Sequence, residues 1–288
     1  MGMDRIAVRG LKLTCACAAA GVLLAPAPGS AAPFTAGNII VEKLTGTSSA
    51  ATPINILEYA TSGGSPVQTI SFGTSGANQQ TDSASSSSNG YLNTYNGFVS
   101  VTGQNLAAGT GTASASNNKV NSILDSSGTV VTRTLFPTGG PTGTPPSPYS
   151  GNNFRSSIAT SGSTFYAAGT ASGSPNTGGI WYNDGTSFIQ VSSTAASVSV
   201  TNTRNVEIYN NQLYFSSSSG AYLGISSIGT GLPTTASLTP TLQINMGIGA
   251  SPYGFVMFST GSAGAGVLDL AYVADDRVTA GGGLQKWT

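Results

Sequence analysis

The chain predicts an all-β protein, a β-propeller of four-stranded antiparallel blades, and three observations carry that expectation. A unit recurs. Asn153-Phe154-Arg155, Phe165-Tyr166-Ala167 and Gly178-Gly179-Ile180-Trp181-Tyr182 are followed in the same order by Asn202-Thr203-Arg204, Leu213-Tyr214-Phe215 and Gly220-Ala221-Tyr222-Leu223. A looser copy runs from Ala271-Tyr272-Val273 to Gly282-Gly283-Leu284-Gln285-Lys286-Trp287. In both full copies an Asn-x-Arg opens a short run, a polar turn follows, an aromatic-centred strand comes next and a Gly-led strand returns. The anchors Tyr166 and Tyr214 lie about one blade apart, because propeller repeats run ~40 to 50 residues. The second observation is that short apolar or alternating runs are separated everywhere by Gly, Pro and Asn-Gly breakers. The third is the lack of helical periodicity in a chain with 39 glycines in 288 residues, which would weaken any helix interior.

Taken in order, the elements begin with a leader. Arg5, Arg9 and Lys12 precede an apolar run over residues 13–24, then Pro26, Pro28 and the small residues Gly29-Ser30-Ala31-Ala32. That order is the one a secretory signal peptide shows, and the apolar run is shorter than the ~20 residues a membrane span needs. Residues 1–32 are therefore expected to be removed on export, leaving residues 33–288 as one secreted or cell-surface domain without a membrane span. Cys15 and Cys17 both fall within the leader, so the mature chain can form neither a disulfide nor a thiolate metal site.

Charged residues make up 7% of the chain, with 10 basic and 10 acidic, against roughly 25% in ordinary domains. No basic face is available for nucleic acid, and no polybasic strip for a membrane surface. The apolar share of 39% is enough for a folded core, so the surface is expected to consist of Ser, Thr, Asn, Gln and Gly.

Three runs, residues 38–44, 54–59 and 67–72, read as strands of a meander, with Gly63-Gly64-Ser65-Pro66 as the turn before the third. Residues 79–89 read as a Ser-rich loop ending in the hairpin signal Asn89-Gly90, and a second tight turn is expected at Asn96-Gly97. Residues 120–124 and 129–136 around Asp125-Ser126-Ser127-Gly128 form another expected hairpin. Residues 137–148 hold five prolines and read as a long Pro/Gly loop inside one domain, with an interdomain hinge as the alternative.

Histidine is absent, which excludes Ser-His and Cys-His nucleophile pairs and His-ligated metals. No cofactor motif is present. Among acids, Glu42, Glu58, Glu207, Asp269, Asp275 and Asp276 are the candidates for the carboxylate pair that most glycosidases use. Asp275-Asp276 is the densest pair; it reads as a turn neutralised by Arg277, with a calcium site as the weaker alternative, because no further oxygen ligands follow in the pattern of a calcium loop. Arg155 and Arg204 recur at equivalent repeat positions. Bracing of a repeat corner explains that better than an anion site, since a residue present once per repeat serves the unit that repeats. Trp181, Tyr182, Tyr222 and Trp287 lie on or beside the Gly-led runs. They are candidates for stacking a sugar ring, although large aromatics between blades ordinarily serve the core.

Four stretches in order, Phe34-Thr35-Ala36-Gly37-Asn38-Ile39-Ile40-Val41, Asn152-Asn153-Phe154-Arg155-Ser156, Ile228-Gly229-Thr230-Gly231-Leu232-Pro233-Thr234 and Tyr272-Val273-Ala274-Asp275-Asp276-Arg277 with Gly281-Gly282-Gly283-Leu284-Gln285-Lys286-Trp287 behind it, carry a family likeness. They resemble a group of secreted bacterial β-propeller-like proteins of largely unassigned function. The resemblance implies a ring of around seven four-stranded blades, often followed by a C-terminal sorting tail. This chain stops at Trp287-Thr288 without such a tail, and its length supports five or six blades at ~40 to 50 residues each, so an incomplete, open ring is expected. The functional expectation is a non-catalytic binding or surface-structural module acting on an extracellular glycan or protein. The alternative is an extracellular carbohydrate-active enzyme with a carboxylate pair.

Overall fold

A computed structural model describes residues 6–10 and 31–288, except Ala196 and Thr279. The chain is all-β, with antiparallel pairing within every sheet and only three single-turn 3-10 segments among the described residues. Of the expected leader, Ile6–Gly10 is described as strand β1, which pairs with the next strand; the rest of residues 1–30, with Cys15 and Cys17, lies outside the described residues.

The first meander is β2 (Ile39–Leu44), β3 (Ala51–Tyr59) and β4 (Gln68–Ser71), in register Ile40↔Glu58 and Ile56↔Ile70. The second sheet contains β5 (Thr81–Ser83), β6 (Asn93–Tyr95), β7 (Phe98–Gln104), β8 (Lys119–Leu124) and β9 (Val130–Leu135). The start of β3 pairs with β5, so these two halves form one continuous nine-stranded sheet. Asn96 and Gly97 take φ 49° and 79° between paired Tyr95 and Phe98, the positive-φ pair that a two-residue hairpin needs. Residues 79–89 are not wholly loop. Thr81–Ser83 becomes strand β5 although every residue in it is polar, because the Thr81 hydroxyl donates to the Leu106 carbonyl (3.0 Å) and Asn89 Nδ2 donates to Asp82 (3.0 Å). Burial of these groups is offset by hydrogen bonds that no hydrophobic pattern announces.

Two four-stranded sheets follow, β10 (Phe154–Ala159) to β13 (Phe188–Gln190) through β11 (Phe165–Gly169) and β12 (Gly179–Asn183), and β14 (Thr203–Tyr209) to β17 (Pro240–Asn245) through β15 (Gln212–Ser217) and β16 (Gly224–Ile228). The last sheet has three strands, β18 (Pro252–Phe258), β19 (Leu270–Asp275) and β20 (Gly283–Trp287). The second copy of the repeat returns later than the sequence pattern places it. Gly220–Tyr222 forms a 3-10 turn, and the returning strand starts at Gly224. The reason is a close approach: Gly224 has φ 138°, and a Cβ there would sit 1.9 Å from the Ile244 carbonyl oxygen, so only glycine allows that strand to approach its neighbour. Gly179 and Gly283 open the equivalent strands with φ 80° and 98°.

Four hydrophobic cores hold the sheets, the first between the two halves of the nine-stranded sheet and the other three between successive sheets. Ile54, Ile56, Val99 and Val101 belong to the first; Phe154, Phe165 and Trp181 to the second; Tyr166, Ile180, Leu213 and Phe215 to the third; Ile225, Phe255 and Val273 to the fourth. Neighbouring residues of one strand serve different cores: Phe165 and Ala167 point to the second, Tyr166 and Ala168 to the third. Period-two geometry in strands buried on both faces produces this sharing. Residues 137–148 leave Phe136 and return at Tyr149, whose rings lie 6.3 Å apart in the second core. A paired bond between Gly140 and Ser147 closes that excursion.

Phe215 is fully buried in the third core. Phe215→Ala should therefore destabilise the chain by about 3–5 kcal/mol in urea unfolding, whereas Leu284→Ala, at an exposed position of β20, should stay within about 0.5 kcal/mol.

Candidate functional site

Strand β6 of the nine-stranded sheet and the first strands of the three sheets that follow, β10, β14 and β18, pack side by side, and their starts carry one residue each in an equivalent place. These residues are Tyr91 just ahead of β6, Arg155 at the second position of β10, Arg204 at the second of β14 and Tyr253 at the second of β18. Arg155, Arg204 and Tyr253 each fall within a β-bulge, where the pairing register shifts between Phe154 and Ser156, Thr203 and Val206, and Pro252 and Phe255. An extra residue in a strand turns its side chain away from the regular alternation. The bulges thus aim these side chains toward one end of the four strands.

Arg155 is 6% exposed. Its Nη1 donates to Asn202 Oδ1 and to the Thr203 carbonyl (2.9 Å), both on the next sheet's entry. Arg204 is half-buried. It donates through Nε and Nη2 to Ser218 Oγ (3.2 and 3.1 Å) and through Nη2 to Ser251 Oγ (3.3 Å), and its guanidinium lies 4.0 Å over the Tyr253 ring. Tyr91 and Tyr253 are 6.4 Å apart between ring centres. Burial first, and then the neighbouring charge of Arg204, lower the Arg155 pKa to about 10, while Tyr91 and Tyr253 act in the opposite sense.

Below this end a polar layer ties the first strands together. Asn93 Nδ2 donates to the Ser157 carbonyl (3.0 Å), to Asn205 Oδ1 (3.0 Å) and to the Val206 carbonyl (2.8 Å), linking three sheets. Ser156 Oγ accepts from Val206 N–H (3.1 Å), Asn205 Nδ2 donates to Glu207 (2.9 Å), and Ser216 Oγ donates to the Tyr253 carbonyl (2.7 Å). With this network in place, the residues at the rim are held by hydrogen bonds from several directions.

The other acids serve local structure. Glu58, buried on β3, accepts from Thr35 N–H, Asn38 Nδ2 and Gln68 Nε2, each at 2.7 Å. Asp269 accepts from Thr260 and Ala263 in an exposed loop. Asp275 accepts from Ser251 N–H (3.0 Å) and Gln285 Nε2 (2.9 Å) and pairs with Arg277 at 2.5 Å, while Asp276 beside it is exposed. Both Asp275 oxygens are already engaged by donors. Among the described residues no three of Cys, His, Asp and Glu gather at metal-binding distance. Glu42 is buried on β2 against Gly90.

The aromatic candidates are placed as follows. Trp181 is 3% exposed in the second core, and its indole N–H donates to the Thr177 carbonyl (2.9 Å). Tyr222 is buried in the third core, and Tyr182 packs against it beside Tyr166, with ring centres 5.0 Å apart. Trp287 is half-buried on the fourth core and donates to Gln285 Oε1. Tyr166 is buried with its hydroxyl on the Pro233 carbonyl, and Tyr214 packs on the fourth core. The sequence pattern brought out Arg155 and Arg204 but missed Tyr91 and Tyr253, because a repeat search keyed on arginine passes over the aromatic that fills the same slot. Lys119 was missed for a different reason. It is a lysine inside a strand, 1% exposed, whose amine donates to the Ser116 carbonyl; burial lowers its pKa to about 7 despite the opposing charge of Asp82.

Neither a protein-family model nor a curated protein matches this chain. Among the described residues, no helix is long and apolar enough to cross a membrane.

Two titrations follow from these environments. The folded pKa of Lys119 lies below its unfolded value, so the cost of burying its charge is fully present below pH 7 and is relieved as pH rises toward 10.5. Unfolding free energy should climb between pH 7 and 9.5 in the wild type and run flatter in Lys119→Met, with the gap at pH 7 reaching about 4 kcal/mol at most. For Glu58, burial raises the pKa but its three donors outweigh that and hold it below 4.5. Its stabilisation is present above pH 4.5 and is lost as pH falls through the lowered folded value. Glu58→Gln should be destabilised at pH 7, with the difference from wild type shrinking toward pH 3 in urea titrations.

Proposed function

We propose that the chain is a secreted, non-catalytic β-propeller module of four-stranded blades, an open ring of five to six blades' worth of chain, that binds an extracellular glycan or protein at the end formed by the strand starts. The observation that carries this reading is the equivalent placement of Tyr91, Arg155, Arg204 and Tyr253 at the starts of four strands, β6, β10, β14 and β18, that pack side by side. Propellers converge the innermost strands of their blades on one axis, and the stacked sheets with cores between them fit that plan. Half-exposed Asn202, Ser218 and Ser251 beside the Tyr91 and Tyr253 rings supply what a saccharide needs: faces for its apolar side and donors and acceptors for its hydroxyls. Secretion is supported by the charged, apolar, small-residue order of residues 1–32.

Binding is to be measured on a glycan array and by capture of extracellular proteins, with Tyr253→Ala and Trp287→Ala in parallel. Binding that falls at least tenfold in Tyr253→Ala, with an unchanged unfolding midpoint, supports the strand-start surface. Binding lost only in Trp287→Ala would move the site to the last sheet. A chain that unfolds cooperatively yet binds nothing would overturn the module reading, and turnover of a bound saccharide would favour the carboxylate-pair enzyme instead.

A further inference from the structure

The arginine pair is unusual in a chain with only 10 basic residues. Two of them are placed on adjacent first strands, one of them almost fully buried, and every partner they have is neutral: an amide oxygen, a carbonyl, two hydroxyls and an aromatic ring. Among the described residues neither has a carboxylate within ion-pair reach. By contrast, Arg277 pairs with Asp275 within its own turn. Donor capacity also remains: Arg155 Nε and Arg204 Nη1 are buried and make no hydrogen bond. A buried guanidinium without counter-charge is costly, and two near one another repel. Bracing the sheet corners explains the bonds that are made. It does not explain why the chain places two positive charges together with donors left over and no acid.

We propose that Arg155 and Arg204 hold one oxyanion group, a carboxylate or a sulfate, at the strand-start end, with Tyr91 and Tyr253 flanking it. A guanidinium presents its donors in a fixed fork that matches the oxygens of such a group, and two forks from neighbouring strands meet a single anion from two sides. The Tyr253 ring, already engaged with Arg204, holds that guanidinium in place. The bulges at Arg155 and Arg204 put both side chains on the same end. The ligand class that follows is a saccharide carrying uronate carboxylates or sulfate esters. This last step rests on the module reading above; the anion site itself does not.

The test is an NMR titration of the full nitrogen-15-labelled chain with sodium sulfate at constant ionic strength, read at the arginine Nε–Hε resonances. Arg155→Lys and Arg204→Lys assign the two signals, and Arg277, already paired, is the internal reference. The expected result is saturable shifts of the Arg155 and Arg204 signals, absent with chloride, and at least tenfold weaker binding in Arg204→Lys. Equal, linear drift of all arginine signals, or no shift at either residue, overturns the site. The wild-type titration decides this even if Arg155→Lys fails to fold. Calorimetry with uronate, sulfated and neutral oligosaccharides of equal length then separates the sources. Tightest binding of one acidic class assigns the group. Neutral sugars bound as tightly as acidic ones, unaffected by Arg204→Lys, would leave the module and remove its anion specificity. Sulfate bound with no oligosaccharide recognised would keep the anion site and remove the glycan reading.

Discussion

Burial of the sheets on both faces is the constraint on which this structure depends. With no disulfide or metal cluster among the described residues to staple it, the chain stays folded because the inner sheets share their apolar side chains between two neighbours, with one core between the halves of the nine-stranded sheet and three between successive sheets. That arrangement needs side chains of opposite faces to be apolar at once, as with Phe165 and Tyr166 on β11. It also needs backbones to come close at the strand returns, which the positive-φ glycines Gly179, beside Val200, and Gly224, beside Ile244, allow.

Where first strands meet, the apolar logic stops and a polar one begins. Asn93, Ser156, Asn205 and Ser216 satisfy one another and the backbone across sheet boundaries. Asn93 Nδ2 shares its two hydrogens among three acceptors, while its buried Oδ1 makes no hydrogen bond, so the layer ties the strands together without satisfying every atom in it. The network holds the strand starts in fixed positions, and so fixes the bulges that carry Arg155, Arg204 and Tyr253. Binding competence at that end would then cost little reorganisation, since the groups are ordered by the fold itself.

Charge placement marks this end by bringing two arginines together; Arg133, which also has only neutral acceptors, stands by itself on β9. Acids elsewhere are absorbed by local donors, as Glu58 is by Thr35, Asn38 and Gln68, and Asp275 by Arg277 and Gln285. The arginine pair receives no such compensation. Two guanidinium groups close enough to act on one another, with no acid beside them, give the strand-start end a positive character that composition alone, balanced at zero net charge, conceals.

The sequence by itself determined the all-β class, the meander at residues 38–72, the Asn96-Gly97 hairpin and the paired recurrence of Arg155 and Arg204. These are local: period, turn chemistry and repeat spacing act over a few residues and need no knowledge of the neighbours. Only the tertiary structure decided that Thr81–Ser83 is a strand, that the second return begins at Gly224, and that Lys119 is buried. Each depends on partners far along the chain, such as Leu106 for Thr81 and Ile244 for Gly224. The candidate site was half legible for the same reason. Its arginines repeat in sequence, but Tyr91 and Tyr253 become their equivalents only when β6, β10, β14 and β18 are laid side by side, because position at the strand start and not residue type defines the slot they share.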